Sequence, residues 1–274
     1  MSDLNRLPEL SSDYALSQEQ VQQFQEKGHI KLNQVATADE VAVYRTIIGE
    51  KVKELNYQSK PLEERDTYGK AFIQISNIWE KSEEVRRFVF AQRFAKIAAE
   101  LLGVDGVRIY HDQALFKEPG GGITPWHQDQ IYWPVDTDQF VTMWMPLVPV
   151  SEEVGSMNFA SGSHKHGYIS KLAISDESQK TLAQYIEAKE MEVENYGALE
   201  AGDATWHYGW TLHSAPGNPT STMREVMTII YYADGAKVIE PDTNARKSDL
   251  ARWLPGLAPG DVAASPLNPL VYKK

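Results

Sequence analysis

The chain of 274 residues contains no cysteine. This absence excludes disulfide bonds, thiolate nucleophiles, cysteine-ligated zinc sites and iron–sulfur clusters held by cysteine. Any transition-metal chemistry must therefore use imidazole nitrogens and carboxylate oxygens. The chain offers seven histidines and 38 Asp and Glu residues for that purpose.

Long hydrophobic runs and an excess of positive charge are also missing. The most apolar stretch, residues 140–150, is too short to span a bilayer and contains Pro146 and Pro149. The first ten residues, MSDLNRLPEL, lack the apolar segment of a signal peptide, so we expect a soluble, cytoplasmic protein. Against 27 Lys and Arg, the 38 acidic residues give a net charge of −11. This balance disfavours nucleic acid or an anionic membrane as the main partner.

What is present is typical of a globular protein, with 42% hydrophobic and 24% charged residues. We find no internal repeat and predict one domain with three parts. Residues 1–103 form a mainly helical flank, residues 104–235 a β core, and residues 236–274 a proline-containing tail packed on the domain. The oligomeric state is left open.

Two capping boxes mark helices near the start of the chain. Ser17 with Gln20 begins the first helix, which Gly28 ends, and Thr37 with Glu40 begins the second.

Further helices are predicted over residues 83–102 and 177–189, because apolar residues recur there at helical spacing. Gly103 ends the first of these two helices. The charged, turn-rich stretch 59–69 is interpreted as a loop.

After Gly103 the pattern changes to short strand-like runs separated by turn residues. The candidate strands are residues 107–117, 140–148, 156–160, 191–196, 204–208 and 223–233. Many short strands of this kind favour a closed or sandwiched antiparallel fold over a parallel sheet.

The first motif that carries chemistry is Trp126-His127-Gln128-Asp129. Alternate residues of a strand point to the same side, so His127 and Asp129 can present a nitrogen and a carboxylate oxygen to one point. A tripeptide of this kind alone is weak evidence for a metal site.

A second histidine strengthens the interpretation. His213 and Arg224 lie at similar distances on either side of a turn-rich segment centred near Asn218. If this segment closes a hairpin, the two side chains fall opposite one another, and a small dicarboxylate could bridge a metal at His213 and the guanidinium of Arg224. His207 is the alternative third metal ligand.

Two histidines and one carboxylate on one face of a metal leave three positions open, as in non-haem Fe(II) oxygenases. One carboxylate against a divalent ion also leaves a positive centre that favours an anionic chelating cosubstrate, after which O₂ can bind.

Three stretches carry a resemblance to a known family: GGGITPWHQDQIYWP, MWMPLVPVSEEVGSMNFASGSHKHG, and GDATWHYGWTLHSAPGN followed by Arg224. Over roughly residues 18–232 the chain resembles the phytanoyl-CoA dioxygenase family of Fe(II)- and 2-oxoglutarate-dependent oxygenases. The resemblance implies a double-stranded β-helix, a cupin-like jelly-roll barrel with flanking helices.

The resemblance also implies roles by position. His127, Asp129 and His213 would be the iron ligands, and Arg224 would hold the distal carboxylate of 2-oxoglutarate. The remaining residues that it suggests for the cosubstrate pocket are Lys117 and Trp144.

The implied reaction hydroxylates an unactivated C–H bond of a small organic substrate with O₂, and releases succinate and CO₂. Related halogenases carry a small residue where Asp129 stands, so the aspartate favours hydroxylation or another oxidative outcome. Two alternatives stay open: a cupin-type protein that binds metal or ligand without turnover, and a zinc or manganese hydrolase or isomerase that would not need Arg224.

The remaining histidines are interpreted without metal. His164 and His166 lie in a Gly/Ser/Lys turn and are expected in a solvated loop, while His111 is expected in the core or facing a pocket.

Overall fold

The structure is a computed structural model that describes residues 7–274. The expectation that the chain starts without a signal peptide falls largely on residues 1–6, outside the described residues. Within residues 7–274, every helix is too short or too polar to cross a membrane.

The first two helices begin at the predicted residues, and the first also ends where predicted. Helix α1 spans Gln18–Lys27 and α2 spans Ala38–Leu55, and both predicted capping boxes form with reciprocal hydrogen bonds. Gly28 ends α1 in the left-handed conformation at φ 84°, which glycine adopts without a steric penalty.

The stretch 59–69 is more ordered than a loop, contrary to the prediction. A 3₁₀ turn occupies Leu62–Glu64, and a short helix, α3, spans Thr67–Ala71. The side chain of Asp66 accepts a hydrogen bond from the Gly69 amide and thereby caps α3.

The single helix predicted over residues 83–102 is wrong. Helix α4 spans Glu83–Val89 and α5 spans Gln92–Leu102, because the backbone at Ala91 leaves the helical region. Apolar residues keep a helical spacing on both sides of the break, so periodicity does not reveal it. Gly103 ends α5 as predicted. Two later helices are α6, Asp176–Ala188, and α7, Asn244–Trp253.

In residues 7–274, eleven strands form two antiparallel sheets. The strands are β1 His29–Leu32, β2 Ile73–Ser76, β3 Gly106–Phe116, β4 Thr124–His127, β5 Phe140–Pro146, β6 Asn158–Ala160, β7 Val193–Asn195, β8 Ala204–Tyr208, β9 His213–Ala215, β10 Val226–Ala233 and β11 Leu270–Lys273. The larger sheet has seven strands in the order β1-β8-β5-β10-β3-β11, with β2 also paired to β3, and the smaller sheet has the order β4-β9-β6-β7. All six candidate strands are present. Strands β1, β2 and β11 were not predicted, and β4 and β9 were expected only through the motif at His127 and the hairpin at His213.

The two faces of the larger sheet have different partners. Helix α5 packs against β3, β5 and β10 on one face, where the main apolar core lies. The other face and the smaller sheet enclose a cavity of about 440 Å³. The terminal segments also join the sheet, since β1 pairs with β8 and β11 pairs with β3.

Candidate active site

His127 and Asp129 meet at the end of β4. The prediction placed both on a strand, but only His127 is on β4, and Asp129 begins a 3₁₀ helix, Asp129–Tyr132. Gln128 between them keeps an extended backbone, at φ −117° and ψ 130°, so both side chains still point to the same side. His127 Nε2 lies 3.4 Å from Asp129 Oδ1.

His213 joins them through strand pairing. It begins β9, which pairs with β4 so that His213 is directly opposite His127, and the two ring centroids are 4.1 Å apart. His213 Nε2 lies 3.7 Å from Asp129 Oδ1. One potential ligand atom from each of the three residues lies within 4.8 Å of the others. The structure therefore brings together the three residues that the resemblance suggested as a metal site.

Backbone contacts set the protonation of both imidazoles. His127 Nδ1 lies 2.7 Å from the Pro125 carbonyl oxygen, and His213 Nδ1 lies 2.9 Å from that of Thr211. A carbonyl only accepts, so each Nδ1 donates, and each Nε2 keeps a lone pair directed at the cluster. Two imidazole lone pairs and one carboxylate oxygen form a donor set that suits ferrous iron.

The electrostatics of the cluster agree with this donor set. Burial keeps the pKa of His213 well below its usual value, so its imidazole is neutral. Burial on its own would raise the pKa of Asp129, but it is lowered well below the usual range, because a proton taken up by the cluster is held by the imidazole of His213, His127 or His207 and not by the carboxylate. The carboxylate is therefore ionised, as metal binding requires.

His207 contacts the same carboxylate on its other oxygen. Its Nε2 lies 3.3 Å from Asp129 Oδ2, and the hydroxyl of Thr142 donates to that oxygen at 3.2 Å. His207 Nδ1 is buried and lacks a hydrogen-bond partner. Metal-binding histidines almost always donate from their second nitrogen, as His127 and His213 do, so the geometry favours His213 as the third ligand.

Arg224 approaches the cavity by a different route from the one predicted. The expected hairpin between His213 and Arg224 is wrong, because β9 belongs to the smaller sheet and β10 to the larger one. Residues 216–225 cross between the sheets, and the side-chain amide of Asn218 anchors the crossing by donating to the carbonyls of Lys117 and Thr222. His213 thus lines the cavity from the smaller sheet, and Arg224 lines it from the crossing segment just before β10.

Arg224 and Lys117 form a buried pair of like charges. Their backbones pair through two hydrogen bonds of 2.9 Å, and their side chains are 2% and 0% exposed. No carboxylate lies within 4.0 Å of either cation among residues 7–274. Burial lowers the pKa of Arg224 to about 9; burial and then the charge of Arg224 lower that of Lys117 to about 6. An anionic ligand beside Arg224 would be stabilised by its guanidinium and would favour the protonated form of Lys117.

The contacts of the two cations show how a ligand could reach them. Arg224 Nη1 donates to the Gly155 carbonyl at 2.6 Å, whereas its Nε has no partner, and the guanidinium lies 5.4 Å from the Trp144 ring centroid. Arg224 and Trp144 line the cavity. Lys117 lies behind this surface, where its ammonium donates to the Gly122 carbonyl and the hydroxyl of Thr124, itself a lining residue.

The other histidines lie as follows. His111 lines the cavity, as the pocket-facing alternative predicted. His164 stacks on Tyr208, and His166 contacts the hydroxyl of Tyr185 in an exposed turn.

Several cavity residues were not predicted from the sequence, and of these Thr142, Asp249, Arg252 and Trp253 bear on function. The last three lie on α7, within the segment interpreted as a tail. The helix cap at Thr243 was the available signal for this helix.

Comparisons with known proteins identify the fold and the family. The phytanoyl-CoA dioxygenase family model matches residues 24–226. A probable alpha-ketoglutarate-dependent hypophosphite dioxygenase from Stutzerimonas stutzeri is 25% identical over 231 residues, which cover 80% of this chain and 79% of that protein.

Two solved structures share the architecture. The non-heme alpha ketoglutarate dependent carbocyclase SnoK from nogalamycin biosynthesis aligns with a TM-score of 0.76 and 24% identity, covering 93% of this chain and 96% of that one. The epimerase SnoN, in complex with Fe³⁺, alpha ketoglutarate and nogalamycin RO, aligns with a TM-score of 0.74 and 24% identity, covering 92% and 97%. These likenesses confirm the predicted jelly-roll fold with flanking helices.

The family match spans most of the chain and includes the His127, Asp129 and His213 cluster together with Arg224. The chain therefore belongs to the phytanoyl-CoA dioxygenase family of iron- and 2-oxoglutarate-dependent oxygenases.

Proposed function

We propose that this protein hydroxylates an unactivated C–H bond of a small organic substrate, consuming O₂ and 2-oxoglutarate and releasing succinate and CO₂. One observation carries the proposal. A cluster of two imidazoles and one carboxylate shares a single cavity with the buried guanidinium of Arg224, which has no carboxylate partner among the described residues.

The proposal assigns the iron to His127, Asp129 and His213. The bound iron would supply the activation of O₂, coupled to oxidative decarboxylation of 2-oxoglutarate. Holding the metal through only three side chains on one face leaves room for the cosubstrate and O₂. His207 and Thr142 hold the second oxygen of Asp129, so the first oxygen stays directed at His127 and His213.

Arg224 would bind the distal carboxylate of 2-oxoglutarate. Its Nη1 is already anchored to the Gly155 carbonyl, and its Nε is free to donate. Trp144 supports the guanidinium from the side, and Lys117 adds a second positive charge behind it. A dicarboxylate is the cosubstrate that offsets two buried cations at one end of a cavity and chelates a metal with its other end.

The cavity walls would bind the substrate and exclude water. Aromatic side chains supply much of the lining, and they are Tyr57, Tyr68, Phe72, Tyr132, Trp133, Trp144 and Trp253. A volume of about 440 Å³ must accommodate the cosubstrate as well, which favours a small substrate.

We also propose that residues 1–103, 104–235 and 236–274 belong to one domain. Support comes from β1 and β11, which lie in the outer parts and each pair with a strand of the central part.

The decisive experiment adds 2-oxoglutarate to the Fe(II) protein without oxygen. Chelation of the metal by the cosubstrate should produce a weak visible charge-transfer band, and admission of air with a metabolite library should release succinate in a substrate-dependent manner. A protein that gives neither the band nor succinate would overturn the proposal.

A matched arginine variant makes this experiment specific. Arg224→Ala should weaken 2-oxoglutarate binding in a titration of the band. Arg45→Ala is the control. Arg45 lies on the protein surface and pairs with Glu225, the residue that directly follows Arg224. Equal cosubstrate affinity in the two variants would contradict the assigned role of Arg224.

A further inference from the structure

The cavity has a second group of charges, far from Lys117 and Arg224. His111 lies six residues before Lys117 on the same extended strand segment, a separation of about 20 Å. The ring of His111 contacts that of Trp253 on α7, with centroids 4.8 Å apart. Asp249, Arg252 and Trp253 all line the cavity there, and we call these three residues the α7 wall.

Asp249 supplies a carboxylate with an incomplete set of partners. It is half-buried, and its Oδ2 accepts a hydrogen bond from the Tyr110 hydroxyl at 3.0 Å. No Lys, Arg or His nitrogen in the described chain lies within 4.0 Å of this carboxylate. Burial raises the pKa of Asp249 to about 7, a change that a bound cation would reverse. A carboxylate of this kind on a cavity surface is a candidate binding group.

Arg252 supplies the opposite charge one turn further along α7. Its guanidinium carbon lies 4.3 Å from the Trp253 ring centroid, and the residue is exposed. An Asp and an Arg three residues apart on a helix commonly pair, yet these two lie more than 4.0 Å apart. The stacking on Trp253 keeps the guanidinium away from Asp249 and leaves both charges available to a ligand.

The α7 wall lies beside the candidate metal site. Helix α7 packs against the 3₁₀ helix that begins with Asp129. Burial raises the pKa of the Tyr132 hydroxyl, and the carboxylates of Asp129 and Asp249 both lie near enough to add to that rise. A small molecule held on the α7 wall would therefore be close to the residues assigned to the iron.

We propose that the substrate is a small zwitterion, with its cationic nitrogen on Asp249 and its anionic group on Arg252. This inference rests on the proposed function and specifies its substrate class. A ligand with one charge would satisfy one of these side chains and leave the other unpaired. A zwitterion satisfies both side chains. The neutral ring of His111 also lines the cavity, and its buried Nδ1, which has no partner among the described residues, adds a further polar atom.

The test uses protein loaded with Fe(II) and 2-oxoglutarate under anaerobic conditions, so that Arg224 and the metal are already occupied. The probes are β-alanine, 4-aminobutanoate and 6-aminohexanoate, with hexylamine and hexanoate as single-charge analogues, and their affinities are measured by calorimetry. We expect the best zwitterion to bind about ten-fold or more tightly than either single-charge analogue.

Two conservative variants assign the charges. Asp249→Asn should remove the advantage of the ammonium group, and Arg252→Gln should remove that of the carboxylate. The matched controls are Asp242→Asn and Arg246→Gln, whose side chains pair with each other at 3.0 Å and do not line the cavity. A thermal melt of each variant checks that it is folded.

The inference is overturned if zwitterions bind no better than single-charge analogues, or if Asp249→Asn and Arg252→Gln bind the probes like the unmodified protein. Recording the charge-transfer band on the same sample distinguishes a failure of the substrate class from a failure of the proposed function. Loss of zwitterion preference with the band present contradicts only the substrate class, whereas absence of the band contradicts the proposed function itself.

Discussion

His207 and Asp129 are joined by a hydrogen bond of 3.3 Å between the imidazole Nε2 and the carboxylate Oδ2. A carboxylate oxygen only accepts, so Nε2 donates this bond, while Nδ1 of His207 has no hydrogen-bond partner among the described residues. The oxygen that receives this bond is not the one nearest His127 and His213. His207 thus acts as a positioning residue for the carboxylate.

The first prediction concerns this positioning. Thr142→Val and His207→Phe should each lower Fe(II) affinity by about ten-fold or more, because Asp129 Oδ2 loses one of its two donors and the carboxylate can rotate. Competition against a chelator of known affinity measures the effect. Thr205→Val is the control. Thr205 lies on β8 two residues before His207, and its buried hydroxyl makes no hydrogen bond within the described residues. Equal affinities in Thr142→Val and Thr205→Val would refute the role of Thr142.

The second prediction decides between the two candidate third ligands. His213→Ala should abolish stoichiometric Fe(II) binding, because it removes a lone pair directed at the cluster. His207→Ala should retain a weakened site, because it removes only a donor to the carboxylate. Equilibrium dialysis of both variants tests this order, and the reverse order would show that His207 is the ligand.

The third prediction is a pH dependence of cosubstrate binding. Lys117 has a pKa of about 6 in the ligand-free protein, so it is mostly neutral at pH 7.5. A bound dianion stabilises the protonated form, so 2-oxoglutarate binding takes up a proton and its affinity falls as the pH rises above about 6. The slope should approach about ten-fold per pH unit before it levels off.

Calorimetry in buffers of different ionisation enthalpy counts the proton taken up. Lys117→Met should remove both the proton uptake and the pH slope, whereas the exposed Lys165→Met should keep them. If Lys117→Met retains the slope, another group is responsible.

The fourth prediction concerns stability in acid. His29 is fully buried, contacts Tyr196 and Ser161 through its two nitrogens, and has a pKa lowered to about 4 by burial. In the unfolded chain it protonates below about 6.5. The free energy of unfolding should therefore fall as the pH falls from about 6.5 to about 4, by at most about 3 kcal/mol from this group.

Urea unfolding at a series of pH values measures this loss. His29→Gln should flatten the pH dependence, and His166→Gln, which changes an exposed histidine, should not. An unchanged pH profile in His29→Gln would assign the acid sensitivity to other groups.

Local sequence signals predicted local structure well. Both N-terminal capping boxes form because the residues that make each box are three apart and need no tertiary partner. The spacing of His127 and Asp129 was also informative, although Asp129 begins a 3₁₀ helix, since a single extended residue separates the two. The break at Ala91 was missed because apolar spacing continues on both sides.

Pairing between distant segments was less predictable. The sequence suggested a hairpin linking His213 to Arg224, yet Arg224 pairs with Lys117 in an isolated bridge just beyond the ends of β10 and β3. Strand partners depend on which faces become buried together, and that depends on the whole sheet. The α7 wall was missed for the same reason, because a polar C-terminal helix carries no local sign that it will cover a cavity.

By itself, the sequence determined the kind of chemistry open to this protein: without cysteine, a transition-metal site must use imidazoles and carboxylates. It also determined the two N-terminal capping boxes and the motif at His127, whose hydrogen bonds and geometry are set by near neighbours. Only the tertiary structure decided which histidine faces Oδ1 of Asp129, which cation lies beside Arg224, and which charges line the rest of the cavity. These relationships join residues far apart along the chain, from 84 positions for Asp129 and His213 to 142 for His111 and Trp253, and packing of the two sheets and α7 brings them together.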